Sequence, residues 1–429
     1  MDPRVPLLLF GSFGALLFLD FPIAAALGIS SVLTIVAFDL APLLLVPQQL
    51  LSATDSWTLL AVPFFILAGN LLAKTAISER LVHLARVMVG RLPAGLAMVA
   101  VVVSIFFAGI SGSGPADTAA LGAVLIPAME KAGYDRRSAA ALIAAGGGIG
   151  IIIPPSIALL IYGVVANAPV TKLFIAGILP GLVVGLSLFF VSFLLFGRDA
   201  RIRAEERGSW REIARAARAA AWGLLAPAII LGGIYGGIFT ATEAATVAVV
   251  YGVVVGFFVH RDLRLRDLPA ILAETGATTG VVMLLVCTAS LFAWVLNTSG
   301  VAAAAAAGLL HLASGKLGGL LVVNGILLVA GCFMDAISIY YVLLPILLPV
   351  VRALGIDLVH FGVVMTVNLA IGQITPPVGV NLFVACGIAK ISMKEISRAV
   401  VPMVAAQTVA LLVVSYWPDL SLWLPRFMR

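Results

Sequence analysis

An apolar segment near the end of the chain is interrupted by the stretch Gly372-Gln373-Ile374-Thr375-Pro376-Pro377-Val378-Gly379-Val380-Asn381. Proline removes a backbone N–H and clashes with the preceding helical turn, and glycine permits backbone angles that other residues avoid. The stretch therefore predicts a helix over residues 358–389 that is broken in its middle. Inside a lipid bilayer, unwound backbone is tolerated only where it lines a cavity or is buried in protein.

A second break of the same kind occurs 222 residues earlier in the chain. Residues 108–180 align with residues 330–402 without a gap, and the shared positions include Gly150/Gly372 and Pro154-Pro155/Pro376-Pro377. This register predicts a duplicated unit. Each copy is expected to hold a re-entrant helical hairpin with a polar tip and then a broken helix. The hairpins are predicted at 97–130 and 319–350, and the broken helices at 138–168 and 358–389.

The composition indicates a chain embedded in a membrane. Of its 429 residues, 62% are hydrophobic and 11% are charged, and the mean hydropathy is +1.16, whereas soluble domains carry about 25% charged residues. The sequence thus predicts an all-α polytopic membrane protein. Apolar runs long enough to cross a bilayer, or nearly so, lie at 5–19, 22–38, 58–73, 173–197, 222–238, 243–259, 276–296 and 400–416.

The charge and the metal-binding residue types exclude some other functions. The net charge is +6. In a membrane protein, an excess of basic residues indicates first which loops face the cytoplasm, so this charge does not indicate nucleic-acid binding. The three cysteines and four histidines are scattered along the chain. No disulfide, zinc site or other cofactor is therefore expected.

The basic residues divide unequally between the two sides of the predicted topology. One side collects 20 of the 26 Lys and Arg residues, and by the positive-inside rule that side is cytoplasmic. Both termini are then expected in the periplasm. The Arg-rich segment 198–218, including Trp210 to Ile213, is expected to be a surface helix near lipid headgroups. The 20 residues lie in clusters at 74–91, 131–137, 198–218, 261–266 and 390–398.

The charges also orient the two copies relative to each other. The loop at 131–137 carries three basic residues, whereas its counterpart in the second copy holds only Arg352. The later loop reverses this, because Lys172 alone corresponds to three basic residues at 390–398. The copies are therefore expected to be inverted structural repeats. Inverted repeats with Gly/Pro-interrupted segments in matched positions are typical of secondary transporters, whose site lies near the middle of the membrane.

The broken segments offer groups for both a cation and an anion. Carbonyls freed by the paired prolines, together with Ser and Thr hydroxyls, suit a hard monovalent cation such as sodium. Half-helix N-termini present N–H groups and a positive dipole end to an anion. The stretches 97–128, 138–168, 319–350 and 358–389 contain no Lys or Arg. An anionic substrate is therefore expected to meet backbone dipoles and sodium instead of a basic side chain.

Three acidic residues lie in or beside apolar segments. Asp117 and Asp335 lie at the two predicted hairpin tips, and Glu243 follows the Gly236 to Thr240 stretch. Ionisable groups are costly within a membrane and are functional candidates by default, but each of the three could instead cap a helix. Glu243 is accordingly a candidate for either a coupling or a structural role.

At these residues the sequence resembles the large, DctM-like membrane subunit of the TRAP transporters, the tripartite ATP-independent periplasmic carriers. The similar features follow in family order along nearly the whole chain. One departure is Gly114-Pro115, where the family would have a serine and a small apolar residue. The similar features are Val62 to Asn70, Gly109 to Ser113 with Ala116-Asp117, Gly150 to Ser156, Gly236 to Ala245, and Gly372 to Phe383.

The resemblance implies a sodium-driven elevator carrier in a bacterial inner membrane that receives a small organic acid, a carboxylate, from a periplasmic binding protein. It also implies a small four-helix membrane subunit, expected as a separate chain because no such extension precedes residue 1. The sodium sites would be lined by Ser111, Ser113, Gly372, Thr375 and Val378. The candidates for substrate binding, at the hairpin tips and breaks, are Ser111, Gly112, Asp117, Pro154, Pro155, Ser156, Asp335 and Asn381.

These expectations divide the chain into a scaffold and a moving transport body. The first copy, at 92–172, and the second, at 300–394, form the transport body. The scaffold comprises N-terminal helices with a cytoplasmic arm at 1–91, further helices and a connecting arm at 173–299, and a C-terminal helix at 395–429.

A stand-alone symporter or antiporter for dicarboxylates or another anion, with a related fold, would need no binding protein and stays open as an alternative. An intramembrane enzyme is not expected, because the sequence has no His-Glu-x-x-His motif and no Ser-His or acidic pair at a suitable spacing.

Overall fold

A computed structural model describes residues 2–197, 209–312 and 315–428 of the chain. Within these ranges the regular structure is helical and no strand occurs, so the predicted all-α class is confirmed. The α-helices are Arg4–Phe18 (α1), Ile23–Phe38 (α2), Leu45–Ser52 (α3), Ala61–Ala73 (α4), Ile77–Val89 (α5), Gly95–Ser111 (α6), Gly114–Lys131 (α7), Arg136–Gly147 (α8), Ile157–Ala166 (α9), Val170–Phe196 (α10), Trp210–Tyr235 (α11), Ala241–Val254 (α12), Leu268–Thr298 (α13), Val301–Leu312 (α14), Gly315–Gly331 (α15), Ala336–Ala353 (α16), Leu358–Gly372 (α17), Val380–Ala389 (α18), Met393–Ala399 (α19), Val401–Tyr416 (α20) and Asp419–Leu422 (α21).

Several of these helices have the length and apolar character that a membrane span requires. In the described part of the chain, five helical segments are each long enough to cross alone, and two bent helix pairs raise the number to seven if each pair counts as one span. The five are Val170–Phe196, Trp210–Tyr235, Ala241–Val259, Leu265–Thr298 and Ala336–Ala353, and the bent pairs are Leu45–Ser52 with Trp57–Ala73 and Met393–Ala399 with Val401–Tyr416.

The Arg-rich segment is described only in part, since residues 198–208 lie outside the described ranges. Trp210 to Ile213 form the first turn of α11 and not a separate surface helix. A capping box starts this turn: the Ser209 N–H donates to Glu212 Oε2 at 2.7 Å, and the Glu212 N–H donates to Ser209 Oγ at 3.2 Å. The two bonds satisfy N–H groups that a helix start would leave free. The same helix then continues from the polar residues at its start into the apolar residues up to Tyr235.

Two short helical pairs and two broken helices lie where the sequence places them. Helices α6 and α7, separated by Gly112 and Ser113, contact each other and form the first hairpin. Helices α15 and α16 likewise form the second hairpin. The first broken helix consists of α8, a 3₁₀ turn at Gly148–Ile151 and α9; the second consists of α17 and α18.

The hairpins and broken helices pack against partners near and far in the sequence. Helix α7 contacts the adjacent α8 and the distant α18, and α16 contacts the adjacent α17 and the distant α9. Helix α17 lies at the centre, where every residue after Leu358 is buried. A helix that is apolar on all faces is expected to be surrounded by protein in this way.

Buried hydrogen bonds tie the C-terminal helix α20 to this central group. Asn368 Nδ2 of α17 donates to Asn324 Oδ1 of α15 at 2.9 Å, and Asn324 Nδ2 donates to Ser415 Oγ of α20 at 3.0 Å. The His360 ring, also on α17, lies 3.2 Å from the Ser415 carbonyl oxygen through Nε2. Because α20 also packs along α10 and α17, the residues 401–416 lie against the broken helices.

Candidate functional site

Four helices begin at one cavity of about 400 Å³. Two of them are the second halves of the hairpins, α7 and α16, and two are the second halves of the broken helices, α9 and α18. The first residue of each helix lines the cavity; these residues are Gly114, Ile157, Ala336 and Val380. The first N–H groups of a helix have no partner inside it, and the dipole is positive at that end. The cavity wall formed by these helix starts therefore favours a negatively charged ligand.

The sequence fixes two of these starts, those of α9 and α16, through N-cap side chains. Ser156 Oγ accepts from the Leu159 N–H at 3.1 Å at the start of α9. Asp335 Oδ2 accepts from the Ile337 N–H at 3.0 Å at the start of α16, and Asp335 also accepts from the Ser338 hydroxyl. Ser113 is the N-cap of α7, but its side chain makes no capping bond. The Ser113 hydroxyl is thus left available to a ligand.

The tip of the first hairpin gathers Ser111, Ser113 and Asp117 around one turn. The Ser111 hydroxyl donates to Asp117 Oδ1 and accepts from the Ser113 N–H at 3.2 Å. Asp117 is fully buried, and its Oδ2 has no hydrogen-bond partner among the described residues. An unpartnered buried carboxylate oxygen is costly, and a bound cation would satisfy it.

At two glycines of this tip, other groups occupy the space that a side chain would need. Gly112 has φ +69°, in the left-handed region, and a Cβ there would overlap the Pro155 carbonyl oxygen. A Cβ on Gly114 would overlap Gln373 Oε1. At Gly114 the overlapping atom is the end of the flexible Gln373 side chain, so a serine there would require Gln373 to shift.

Asn381 joins the tip of the first hairpin to the second broken helix. Its Nδ2 donates to the Ala144 carbonyl oxygen at 3.1 Å, while its Oδ1 is buried without a partner in the described structure. Both side-chain atoms lie close to Gly114. Asn381 and Asp117 therefore present two unpartnered oxygens in the region of the α7 start.

The second break packs against the tip of the second hairpin. Gly372 and Gly331 approach so closely that a Cβ on Gly372 would lie 2.7 Å from Gly331 Cα. The Val378 N–H donates to the Cys332 carbonyl oxygen at 3.1 Å, and the Thr375 hydroxyl donates to the Ile371 carbonyl oxygen at 2.7 Å. Gly372, Thr375 and Val378 are thus brought together, but none of them lines the cavity.

Comparison with known proteins identifies the family. Residues 10–420 match the family model described as the tripartite ATP-independent periplasmic transporter, DctM component. The chain belongs to this family. It is therefore a large permease subunit of a TRAP transporter, a multi-pass protein of the bacterial inner membrane, and not an enzyme.

Relatives of this DctM-family chain are named for different organic acids. The chain is 42% identical over 416 residues to the isethionate TRAP transporter permease protein DctMQ of Oleidesulfovibrio alaskensis, a match that covers 97% of this chain and 65% of that protein. It is 42% identical to the C4-dicarboxylate large permease DctM of Pseudomonas aeruginosa, covering 94% of each chain. It is 36% identical to the sialic acid large permease SiaM of Vibrio cholerae, covering 97% of each.

Solved structures share the fold of the DctM-family chain at low sequence identity. The YdaH transporter of Alcanivorax borkumensis is similar with a TM-score of 0.60 and 16% identity, covering 86% of this chain and 87% of that one. MtrF of Neisseria gonorrhoeae, described as one of a class of antimetabolite efflux pumps, is similar with a TM-score of 0.58 and 16% identity, covering 86% and 82%. At this identity the likeness concerns the fold alone.

The remaining predicted residues of the permease lie near the cavity or away from it. Asp335 lines it together with Ser111, Gly112 and Ser113. Pro154, Pro155 and Ser156 lie behind the lining, with the Pro155 carbonyl oxygen beside Gly112. Glu243 is exposed, does not line the cavity, and completes a capping box with Thr240 at the start of α12, where its Oε2 accepts from the Thr240 N–H at 2.8 Å.

Sequence reasoning missed the opposite wall of the cavity in this permease. Asn70 of α4 and Glu274 and Thr278 of α13 line it. Asn70 was part of a recognised motif without an assigned role, and its Nδ2 donates to Thr275 Oγ1 at 3.0 Å. Glu274 lies two residues before the apolar run at 276–296, so the sequence indicates a helix flank there and not a cavity.

Proposed function

We propose that this chain carries a small organic acid into the cell together with sodium, by alternating access of an elevator type, after a periplasmic binding protein delivers the substrate. The observation that carries the proposal is the meeting of four helix starts at one cavity, beside unpartnered buried oxygens. The helix starts suit an anion and the unpartnered oxygens suit sodium, which are the two ligands of such a symporter. The substrate candidates remain Ser111, Gly112, Asp117, Pro154, Pro155, Ser156, Asp335 and Asn381.

The anion would bind at the helix starts. No Lys, Arg or His lines the cavity in the described structure, so backbone N–H groups and dipoles must offset the charge of an acid group. Each helix terminus contributes about 0.3–1 kcal/mol at exposed sites and up to about 2 kcal/mol in partly buried ones. Several termini converging on one acid group support binding without a basic side chain.

Sodium would bind at the tip of the first hairpin and at the break of the second broken helix. Sodium is a hard cation that prefers oxygen ligands, and the first hairpin tip offers Ser111, Ser113 and the unpartnered Oδ2 of Asp117. The second break offers carbonyl and hydroxyl oxygens of Gly372, Thr375 and Val378. The positive charge of each bound ion would lower the cost of holding an anion in the cavity, which couples the two ligands.

The moving body would comprise both hairpins and both broken helices. Their packing across the two copies supports inverted repeats that move as one unit. The contacts of α10 and α20 support a moving body larger than residues 92–172 and 300–394, because both helices pack along α17 and α20 is tied to it by buried hydrogen bonds. We therefore assign α10 and α20 to the moving body, and α1 to α5 with α11 to α13 to the scaffold that faces lipid and the small four-helix subunit.

The test is uptake into proteoliposomes that contain this chain and its small partner subunit. Labelled isethionate, a C4-dicarboxylate and sialic acid are suitable first substrates because relatives are named for them. With the cognate binding protein outside, an inward sodium gradient should drive uptake of at least one organic acid, and an equal potassium gradient should not. Uptake that is the same in both gradients would contradict sodium coupling.

The stand-alone symporter is the second candidate, because a cavity with these helix starts beside unpartnered oxygens would also serve a carrier that works without a binding protein. The two candidates differ in one requirement. A stand-alone carrier transports its substrate without a binding protein, so the dependence of uptake on that protein distinguishes them.

A further inference from the structure

We propose that the substrate is an organic acid that also carries a protonated amino group, and that Glu274 binds this amino group from the scaffold side of the cavity. The inference rests on the proposed function and names its substrate class. An acid group would face the four helix starts, and the amino group would face α13. The cavity is then complementary to a molecule with a negative and a positive end.

Glu274 lies on the face of α13 that lines the cavity. Glu274, Thr278 and Val282 line it at intervals of four residues, which is the spacing of side chains on one face of a helix. The next residue, Thr275, points to α4 instead and accepts the hydrogen bond of Asn70. The adjacent helix α4 contributes Asn70 to the same wall. The scaffold wall therefore presents one carboxylate with an amide and a hydroxyl near it.

The carboxylate of Glu274 is uncompensated in the described structure. Glu274 is an exposed residue of the lining, and its side chain has no hydrogen-bond or ion-pair partner in residues 2–197, 209–312 and 315–428. The other acidic residue of the lining, Asp335, is already engaged by the Ile337 N–H and the Ser338 hydroxyl. Glu274 is therefore the acidic residue of the lining whose carboxylate is left for a ligand. A protonated amine is the ligand group that offsets this charge.

The charge balance separates an amino acid from a simple dicarboxylate. A dicarboxylate that places one acid group at the helix starts directs its second negative charge toward Glu274, where like charges repel. An amino group in the same place forms a charge-assisted hydrogen bond with the carboxylate. A hydroxyl group in that place donates a weaker hydrogen bond.

Two matched pairs of compounds test this difference. 2-Aminoethanesulfonate and 2-hydroxyethanesulfonate differ only in the amino or hydroxyl group, and so do aspartate and malate. The purified complex of this chain with its small subunit would be titrated with each compound in sodium chloride, and the shift in its thermal unfolding temperature would report binding. The amino member of at least one pair should bind about tenfold more tightly than its hydroxyl counterpart, as expected for a hydrogen bond between charged groups.

Variants assign the preference to Glu274. Glu274→Gln should remove the preference for the amino compound and leave hydroxyl-compound binding unchanged or stronger, while Glu274→Asp should keep the preference. Glu79→Gln is the matched control, since Glu79 is an exposed acid outside the cavity, and it should behave as the parent protein.

Three results would overturn the inference: equal or tighter binding of the hydroxyl compounds, a preference that survives Glu274→Gln, or a lack of stabilisation by both amino compounds. The proposed function is judged separately, because sodium-dependent stabilisation by malate or 2-hydroxyethanesulfonate in the same titrations would still support an organic-acid carrier.

Discussion

At the scale of single residues, the tip of the first hairpin depends on the absence of a side chain at Gly112. Gly112→Ala should destabilise the fold by roughly 2–4 kcal/mol, because alanine at φ +69° is strained and its Cβ would displace the Pro155 carbonyl oxygen. Substrate-induced stabilisation should be lost as well, since Pro155 and Ser156 position α9 at the cavity. Thermal unfolding with and without substrate measures both effects.

Gly237 provides the matched control for this substitution. It has the same φ of +69°, but no atom lies within 4 Å of the Cβ position. Gly237→Ala should therefore cost only the backbone strain, about 1 kcal/mol, and keep substrate binding. Equal losses in the two variants would show that the crowding at Pro155 has no special importance.

Ser113 is expected to contribute a sodium ligand without contributing much to folding. Its hydroxyl makes no capping bond, so Ser113→Ala should leave the unfolding temperature nearly unchanged. The sodium concentration for half-maximal uptake should rise about fivefold, which corresponds to about 1 kcal/mol. Thr375→Ala should raise it similarly at the second break.

Ser187→Ala is the control for both serine and threonine variants. The Ser187 hydroxyl donates to the Val184 carbonyl oxygen within α10 at 2.7 Å and lies outside the cavity. Its sodium dependence should match that of the parent protein. If Ser113→Ala and Thr375→Ala also match the parent, sodium binds elsewhere.

The residues of the candidate site differ in how far the sequence could predict them. Ser111, Ser113 and Asp117 were predictable because glycine and proline next to polar groups mark a break in an apolar segment. Glu274 was not, because the cavity that it lines is formed by segments far apart in the sequence, and α13 is apolar over most of its length. A local sequence pattern predicts where a helix breaks, but it does not predict which face of a distant helix packs near that break.

At the scale of helices, buried hydrogen bonds from Asn368 to Asn324 and from Asn324 to Ser415 link α17, α15 and α20. Asn368→Leu should leave Asn324 Oδ1 buried without its donor, which costs about 1–3 kcal/mol. The unfolding temperature of the purified protein should fall, and hydrogen exchange should increase in α15 and α20 together. Asn297→Leu is the control, because Asn297 is exposed at the end of α13. A similar loss in both variants would contradict a specific link among the three helices.

The boundaries of the broken helices were predictable, but their neighbours were not. Paired prolines and glycines end α17 and start α18 at the expected residues, since these residue types restrict the backbone locally. The placement of α20 beside α17 depends on Asn324, Asn368 and Ser415, which are single polar residues within apolar runs. Such residues signal a buried partner, and only the structure shows which partner it is.

At the scale of the whole molecule, the charge distribution predicts which loops face the cytoplasm. Residues 131–137 and 390–398 should be cytoplasmic, and residues 168–172 and 352–357 periplasmic, because basic loops remain inside. Single cysteines placed in each loop of a variant without Cys287, Cys332 and Cys386 would be labelled in spheroplasts with a membrane-impermeant reagent. Labelling of 131–137 and 352–357 from the same side would exclude inverted repeats.

The dependence on a binding protein is the prediction that concerns the complete transporter. If the substrate reaches the cavity only by transfer from a docked periplasmic protein, uptake at low substrate concentration should disappear when that protein is omitted, although the membrane subunits are folded and sodium is present. Proteoliposomes with this chain and its small partner would be compared with and without the cognate binding protein at equal sodium gradients. A binding protein from an unrelated TRAP transporter is the control for effects of an added binding protein that does not dock on this chain. It should not restore uptake. Equal rates in all three conditions would favour the stand-alone symporter, because its cavity would then capture substrate directly from solution.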